Sequence, residues 1–252
     1  MEKIKLSELS TLPPSDFHKE EGENRTDGYI TKLNDLQNVL FAQSKYSILI
    51  VLQGMDASGK DGVIKKVFSG INPMGCRVAA FKKPTEEEMK HEFLWRIHKH
   101  VPEKGMIQIF NRSHYEDVII QRVHKWVDEK TIIRRYEHIN HFESLLREND
   151  TIVLKFYLHV SQKEQMERLT ERLSDPKKMW KYNPGDMGES KRWPEYMDAY
   201  ERAFTNCSPD IPWTIVPADK NWYKEYLIAK LLVEALERLE LKYPLLEKNA
   251  SK

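Results

Sequence analysis

The 252-residue chain predicts an α/β fold, one five-stranded parallel sheet with helices on both faces. Three observations lead there. Five short apolar runs rich in β-branched residues alternate with longer stretches of helical periodicity. The most apolar run, Ser47 to Gln53 (SILIVLQ), is continuous, as a strand buried on both faces requires. A glycine-rich segment follows it at once and leads into a helical pattern, the order of a parallel βα unit.

The elements follow in order. Residues 1–25 are polar, contain Pro13-Pro14 and read as an irregular arm. Ile30, Leu33, Leu36 and Leu40 recur at helical spacing, which predicts a helix from Thr26 to Ser44. After the first strand, the helix runs through Val63 to Phe68. Arg77 to Phe81 is the second strand. Thr85 and Glu88 form a capping-box pattern that predicts a helix to His100. Gly105 to Phe110 is the third strand. Ser113 to Val127 and Lys130 to Glu148 read as helices, Thr151 to Val160 as the fourth strand and Ser161 to Leu173 as a helix. Asp175 to Trp193 holds two prolines and two glycines with little periodicity, and reads as a loop or mobile excursion. Glu195 to Phe204 is helical, Trp213 to Ala218 the fifth strand, and Trp222 to Leu241 the last helix. The division is an arm and helix (1–46), a main domain (47–243, with the excursion at 175–193) and a polar tail (244–252).

Composition narrows the function. Forty basic residues against thirty-nine acidic give a net charge of +1, so the globally basic signature of a simple nucleic-acid binder is absent. The charge is unevenly spread. Residues 60–135 carry sixteen basic and ten acidic side chains, and residues 168–192 carry seven and four. Two local basic stretches allow a groove for a polyanion. Two cysteines, Cys76 and Cys207, exclude a disulfide scaffold and read as packing residues in a reduced, cytoplasmic setting. No window approaches a membrane span, and no secretory leader pattern is visible.

Gly54 to Lys60 (GMDASGK) matches G-x-x-x-x-G-K between a buried strand and a helix. Gly54 and Gly59 permit turns that converge the backbone N–H groups, including those of Ala57 and Ser58, on one anion. The helix adds the positive end of its dipole, and Lys60 adds a full charge. The usual hydroxyl after the lysine is replaced by Asp61. An additional carboxylate, Asp56, sits inside the loop, where it would repel phosphate unless a cation intervenes. It therefore suggests Mg²⁺ coordination or orientation of the transferring group.

After the third strand comes Phe110 to Val118 (FNRSHYEDV). Such a strand end commonly supplies an acid to the metal, but here it is the neutral Asn111. Glu116 and Asp117 can point back only if Ser113 starts a helix. Arg112 could touch a phosphoryl oxygen or form a structural ion pair. His114 reads as a positioning or packing residue.

These motifs, with Lys177 to Asp186 (KKMWKYNPGD) and Pro212 to Asp219 (PWTIVPAD), resemble the polyphosphate kinase 2 family, from about Ile30 to Tyr243. The resemblance implies a P-loop kinase-type three-layer αβα fold similar to thymidylate kinase, with a lid at Asp175 to Trp193. It implies phosphoryl transfer between inorganic polyphosphate and the nucleotides ADP, AMP and ATP, with Mg²⁺ or Mn²⁺. It places Asp56 and Lys60 on essential loop positions and Arg112 on a Walker B-like arginine. In the mechanism expected, Asp56 with Glu116 or Asp117 organises Mg²⁺ and the acceptor phosphate. Asn111 with Glu116 resembles the class III branch, which phosphorylates nucleoside mono- and diphosphates. Family members form dimers or tetramers, so a homo-oligomer without nucleic-acid or membrane partners is expected.

A polyphosphate chain needs a tract of cations and little shape recognition. Lys65, Lys66, Lys82, Lys83, Arg122 and Arg172 are candidates for that tract. In the lid, Lys177, Lys178, Lys181 and Arg192 could close over phosphates and exclude water, and Asp186 falls in the lid motif. Trp180 and Tyr182 are open to two roles, stacking on a base or packing the closed lid. An ATP-dependent nucleotide kinase of the thymidylate kinase type and a non-enzymatic polyanion binder are the competing readings.

Overall fold

The protein is described by a computed structural model covering residues 4–207 and 209–245. Five strands form one sheet: β1 (Ser47–Gln53), β2 (Cys76–Ala80), β3 (Ile107–Asn111), β4 (Thr151–His159) and β5 (Trp213–Pro217). Every pairing is parallel and the order is β2-β3-β1-β4-β5. β1 is central and every residue of it is buried, as its apolar run requires. The register sets Ile48 beside Ile107 and Ile152; β3 ends beside Leu52, and β4 runs two residues beyond the end of β1. The loop after β1 thus opens between the ends of its two neighbours, where ligands bind in open parallel sheets.

The helices are α1 (Lys19–Gln43), α2 (Lys60–Val67), α3 (Trp95–His98), α4 (Glu116–Val123), α5 (Glu129–Glu148), α6 (Gln162–Ser174), α7 (Pro184–Ser190), α8 (Trp193–Asn206) and α9 (Asn221–Glu237). α1 and α2 lie against α9, α5 against β4, and α8 against α4 and α5. α1 begins seven residues before its predicted start, inside the expected arm. That first stretch is polar and has no apolar stripe to read. It is held by the pairs Lys19–Glu23 and Glu21–Arg25 and by a close approach to α9. A Cβ at Gly22 would lie 2.6 Å from the Trp222 ring.

The remaining arm packs at the carboxyl ends of β4 and β5. Leu6 is buried, with its N–H on Glu201 (2.8 Å), and Thr11 bonds Asp219 through its side chain (2.7 Å). Of the expected tail, only residues 244 and 245 are among those described.

The helix expected from Thr85 to His100 does not form as one element. Its capping box does: Thr85 N–H donates to Glu88 (2.8 Å), and Glu88 N–H donates to Thr85 Oγ1 (3.2 Å). That turn closes at Lys90. Glu92 then caps the Leu94 N–H (2.7 Å), and a new short helix, α3, starts at Trp95. The excursion at 175–193 is not a plain loop. It folds into a 3-10 turn (Met179–Lys181) and α7, which Asn183 and Pro184 initiate.

One polar cluster lies inside the core. Lys155, in the middle of β4, is fully buried and donates to Glu143 of α5 (2.6 Å), the Tyr115 hydroxyl (2.9 Å) and the Cys207 carbonyl (2.5 Å). Glu143 also accepts from Tyr115 (2.8 Å) and lies 3.3 Å from His114 Nε2. The cluster fixes Ser113 to Tyr115 against the sheet, and so fixes the turn that presents Arg112.

Candidate active site

The loop from Gly54 to Lys60 turns as its glycines predict. Gly54 has φ 152°, and a Cβ there would meet Ser58 Oγ at 2.8 Å and the Leu158 carbonyl at 3.0 Å. Gly59, at φ 99°, opens α2. Ala57 and Arg112, each at φ 63°, are left-handed without being glycine. Such residues cost of order 1–3 kcal/mol and persist where the surrounding structure holds them.

Lys60 is buried and folds back on its own loop, donating to the carbonyls of Gly54 (2.7 Å) and Met55 (3.1 Å). Burial, and then the charge of Arg112, push its pKa from 10.5 down to about 8. Arg112 forms the centre of the acidic side. Its guanidinium pairs with Asp56 and reaches Glu116 at 3.5 Å. Burial disfavours the arginine charge, but Glu116 and Asp56 outweigh it and raise the pKa above its ordinary value. Burial raises the Glu116 pKa against the pull of Arg112 and Lys60. With its amide oriented to satisfy both ends, Gln53 donates to Glu116 (3.0 Å) and accepts from the Ser113 N–H (3.1 Å).

Asp56, Lys60, Arg112 and Glu116 are therefore brought together, but Asp117 is not. Successive helical residues point about 100° apart, so only one of the two acids can face the loop. Asp117 turns instead to Arg96 (3.4 Å) and Arg135 (3.9 Å) and is buried there. Asp61 takes a different part from the hydroxyl it replaces. It accepts from Asn111 (2.9 Å) and from the lid's Lys181 (3.2 Å). Burial would raise its pKa, yet those two partners bring it below the ordinary value. The neutral Asn111 makes sense here, because an aspartate would repel Asp61.

The lid is docked over this centre. Arg172 of α6 holds Asp186 of α7 at 2.9 Å. Asp186 is buried, and burial together with the Asp56 charge raises its pKa. Gln165 of α6 links the two sides, donating to the Asp56 carbonyl (3.0 Å) and accepting from Ser190 (2.7 Å).

The expected cation tract is only partly available. Lys65 is exposed on α2, and Lys82 and Lys83 are exposed just beyond β2, whose last residue pairs with Asn111. Lys66 is held by Asp27 (2.8 Å), and Arg122 is committed to Glu129 (3.2 Å) and Asp198. In the lid, Lys177 and Arg192 are exposed, while Lys178 pairs with Glu171 (2.5 Å). Trp180 is 76% exposed and donates to the Lys177 carbonyl (3.0 Å), so in this conformation it does not pack the lid.

Two further cations support the loop. Arg168 of α6 donates to the carbonyls of Ala57 and Ser58 (3.1 Å each), and Lys224 of α9 donates to Ser58 (3.2 Å). Arg168 had a weak signal, its i,i+4 spacing from Arg172. Lys224 gives no such signal, since nothing near it in sequence marks it as facing the loop.

Among the described residues, no three potential metal-ligating side chains form a cluster. Two carboxylates, Asp56 and Glu116, face the loop together. One or two carboxylates completed by phosphate oxygens and water are what Mg²⁺ usually takes, so the donor set fits a cation shared between protein and substrate.

A family model described as Polyphosphate kinase 2 (PPK2) matches residues 16–244. The chain is 48% identical over 214 residues to an AMP/ADP-polyphosphate phosphotransferase of Meiothermus ruber, covering 84% of this chain and 80% of that one. It is 38% identical over 257 residues to an ADP-polyphosphate phosphotransferase of Rhodopseudomonas palustris, covering 96% and 89%. The crystal structure of a polyphosphate kinase 2 from Arthrobacter aurescens superimposes with a TM-score of 0.94 at 41% identity, covering 98% of this chain and 90% of that one.

Proposed function

The chain belongs to the polyphosphate kinase 2 family, and on that premise we propose that it transfers phosphoryl groups from inorganic polyphosphate to ADP and AMP, forming ATP and ADP. It is an enzyme, a phosphotransferase acting between polyphosphate and nucleotides. The reaction breaks one phosphoanhydride and makes another, so it runs in either direction. Acceptance of both AMP and ADP is supported by the Meiothermus ruber relative, whose name carries both. The observation that carries the reading is the pairing of Arg112 with Asp56 and Glu116 directly beside Lys60. A loop that merely bound phosphate would have no use for a carboxylate inside it.

The residues divide the work. The N–H groups of the loop hold the donor's terminal phosphoryl group, and Lys60 leaves its two carbonyl partners to contact phosphoryl oxygens. Arg112, held by its left-handed backbone, neutralises charge developing on the transferred group. Asp56 and Glu116 would hold Mg²⁺, or Mn²⁺ in its place; when bound, the ion neutralises phosphoryl oxygens and orients them. The acceptor phosphate attacks in line, and no covalent enzyme intermediate is required. The lid carries Lys181 and Asp186 over the site and excludes water that would hydrolyse polyphosphate. Lys65, Lys82 and Lys83 extend positive charge along the polyphosphate chain.

We place the enzyme in the cytoplasm as an oligomer of identical chains. No described helix is long and apolar enough to cross a membrane, and light scattering would read the oligomer directly. The test of function is a matrix of donors and acceptors. Polyphosphate with Mg²⁺ should convert ADP to ATP and AMP to ADP. Turnover with ATP as donor to a nucleoside or to TMP, and none with polyphosphate, would instead identify a thymidylate-type kinase.

A further inference from the structure

Lys224 stands in the first turn of α9 and is completely buried. Its ammonium donates to Asn221 Oδ1 (2.5 Å) and to the Ser58 carbonyl (3.2 Å). It touches the phosphate loop from behind, since a Cβ on Gly59 would lie 2.2 Å from Nζ. Arg168 approaches from α6. Its Nη1 bonds the Ala57 and Ser58 carbonyls, and its Nη2 bonds the carbonyls of Ala218 and Asp219 (2.9 Å each).

Buried lysines are ordinarily paired with an acid, because an unpaired buried charge is costly. Arg168 has such a partner in Glu164 (2.9 Å). Among the described residues Lys224 makes no ion pair within 4.0 Å, although Glu164, Asp219 and Glu225 act on it at longer range. Burial, and then Arg168, lower its pKa to about 7. The packing therefore keeps a cation where it is poorly compensated, and one neighbour of that cation is the loop.

A loop whose N–H groups face an anion must turn its carbonyls the other way. Those carbonyls then point into the protein and need donors there. Arg168 and Lys224 are those donors at Ala57 and Ser58. We propose that Lys224 is a positioning residue for phosphoryl transfer: with Arg168 it holds the Ala57–Ser58 carbonyls inward, which aims the loop's N–H groups at the polyphosphate donor, and its charge attracts that donor through the loop. The inference rests on the loop's binding phosphate in the proposed reaction. Charge acts more strongly through a thin, dry layer of backbone than across water.

The test compares wild type with Lys224→Met and Lys224→Gln in polyphosphate binding, steady-state turnover and thermal melting. Lys224→Met fills the same space without charge or donor. It should bind polyphosphate several-fold more weakly, because the loop's N–H groups lose their fixed aim and the donor loses a nearby charge. At pH 6, where Lys224 carries its charge, the variant's dependence of binding on salt should be shallower than that of the wild type. Its kcat should fall, with melting unchanged or higher. Lys224→Gln, which keeps a donor for Ser58, should recover most of the kcat while binding stays weak. A purely structural lysine would move melting and leave the salt slope alone.

A folded Lys224→Met with wild-type affinity, salt slope and kcat overturns the inference. If that variant does not fold, Lys224→Gln carries the test: wild-type polyphosphate affinity and salt slope there overturn the inference equally. Absence of polyphosphate turnover in the wild type refutes the functional reading itself, which separates the two failures.

Discussion

Removing the loop lysine should stabilise the protein while abolishing its activity. Lys60 is buried, and its pKa is lowered from 10.5 to about 8, chiefly by burial. The unfolded chain keeps the proton up to the ordinary value, whereas the folded loop releases it near 8. Below that pH the fold carries the whole cost, which at about 1.36 kcal/mol per pH unit is about 3 kcal/mol. Lys60→Met removes the cost but also takes two donors from the carbonyls of Gly54 and Met55, worth about 1 kcal/mol each. The variant should therefore be more stable than wild type at pH 7 by about 1 kcal/mol. As the pH rises from 8 towards 10.5 the wild type recovers stability, so the advantage should shrink by about 2.5 kcal/mol between pH 7 and 10 and reverse sign. Urea unfolding of both proteins in metal-free buffer at the two pH values gives the comparison, and titrating groups remote from Lys60 cancel because both proteins share them. A variant less stable than wild type at pH 7, with a difference that ignores pH, would refute the reasoning. Its turnover should be lost in any case.

Three further predictions concern the acids. Asp56→Asn should lower kcat about 10³-fold, the scale of removing a preorganised transition-state partner. It should shift melting only slightly, since its partly exposed pair with Arg112 contributes about 1 kcal/mol at most; steady-state rates and a melting curve check both halves. Asp61→Ala should lower the KM for polyphosphate up to about fivefold, because the lid's Lys181 no longer has an exposed acid competing for it. Glu143→Gln leaves Lys155 buried without its acid and should cost about 3–5 kcal/mol in urea unfolding, with KM unchanged in the protein that remains folded. Burial opposes the Glu143 charge, but Lys155 and His114 prevail and its pKa lies below the ordinary 4.5. The stability it contributes is thus complete above 4.5 and lost as pH falls through the lower folded value.

How much of this the sequence disclosed depends on the range of each interaction. The central strands were legible because a doubly covered parallel strand is written as an apolar run; Ser47 to Gln53 forms β1 residue for residue, whereas the edge strand β2 leaves Arg77 and Val78 exposed. Local turn chemistry was legible too. The capping box at Thr85 and Glu88 forms, although the helix it was expected to start does not, since Glu92 caps a second start at Leu94. The first turns of α1 are not legible because a polar surface helix has no apolar period to follow. In the site, Lys60 follows from the loop's spacing and Asp56 from being a carboxylate inside a phosphate loop, whereas Glu116 and Asp117 differ only in which way the turn before α4 presents them. The least legible residues are the cations that face the loop through space. Lys224 is separated from Ser58 by 166 positions. Lys155, by contrast, left a trace as a charge inside an apolar strand opposite Glu143 on the apolar face of α5.

The central claim is that the transferred phosphoryl group comes from polyphosphate. The most direct measurement follows the ³¹P signals of wild-type protein mixed with polyphosphate, Mg²⁺ and ADP. ATP signals should grow as polyphosphate signals decline, and Asp56→Asn should show neither change. A folded wild-type protein that leaves both substrates intact, or that releases only inorganic phosphate without forming ATP, would contradict it.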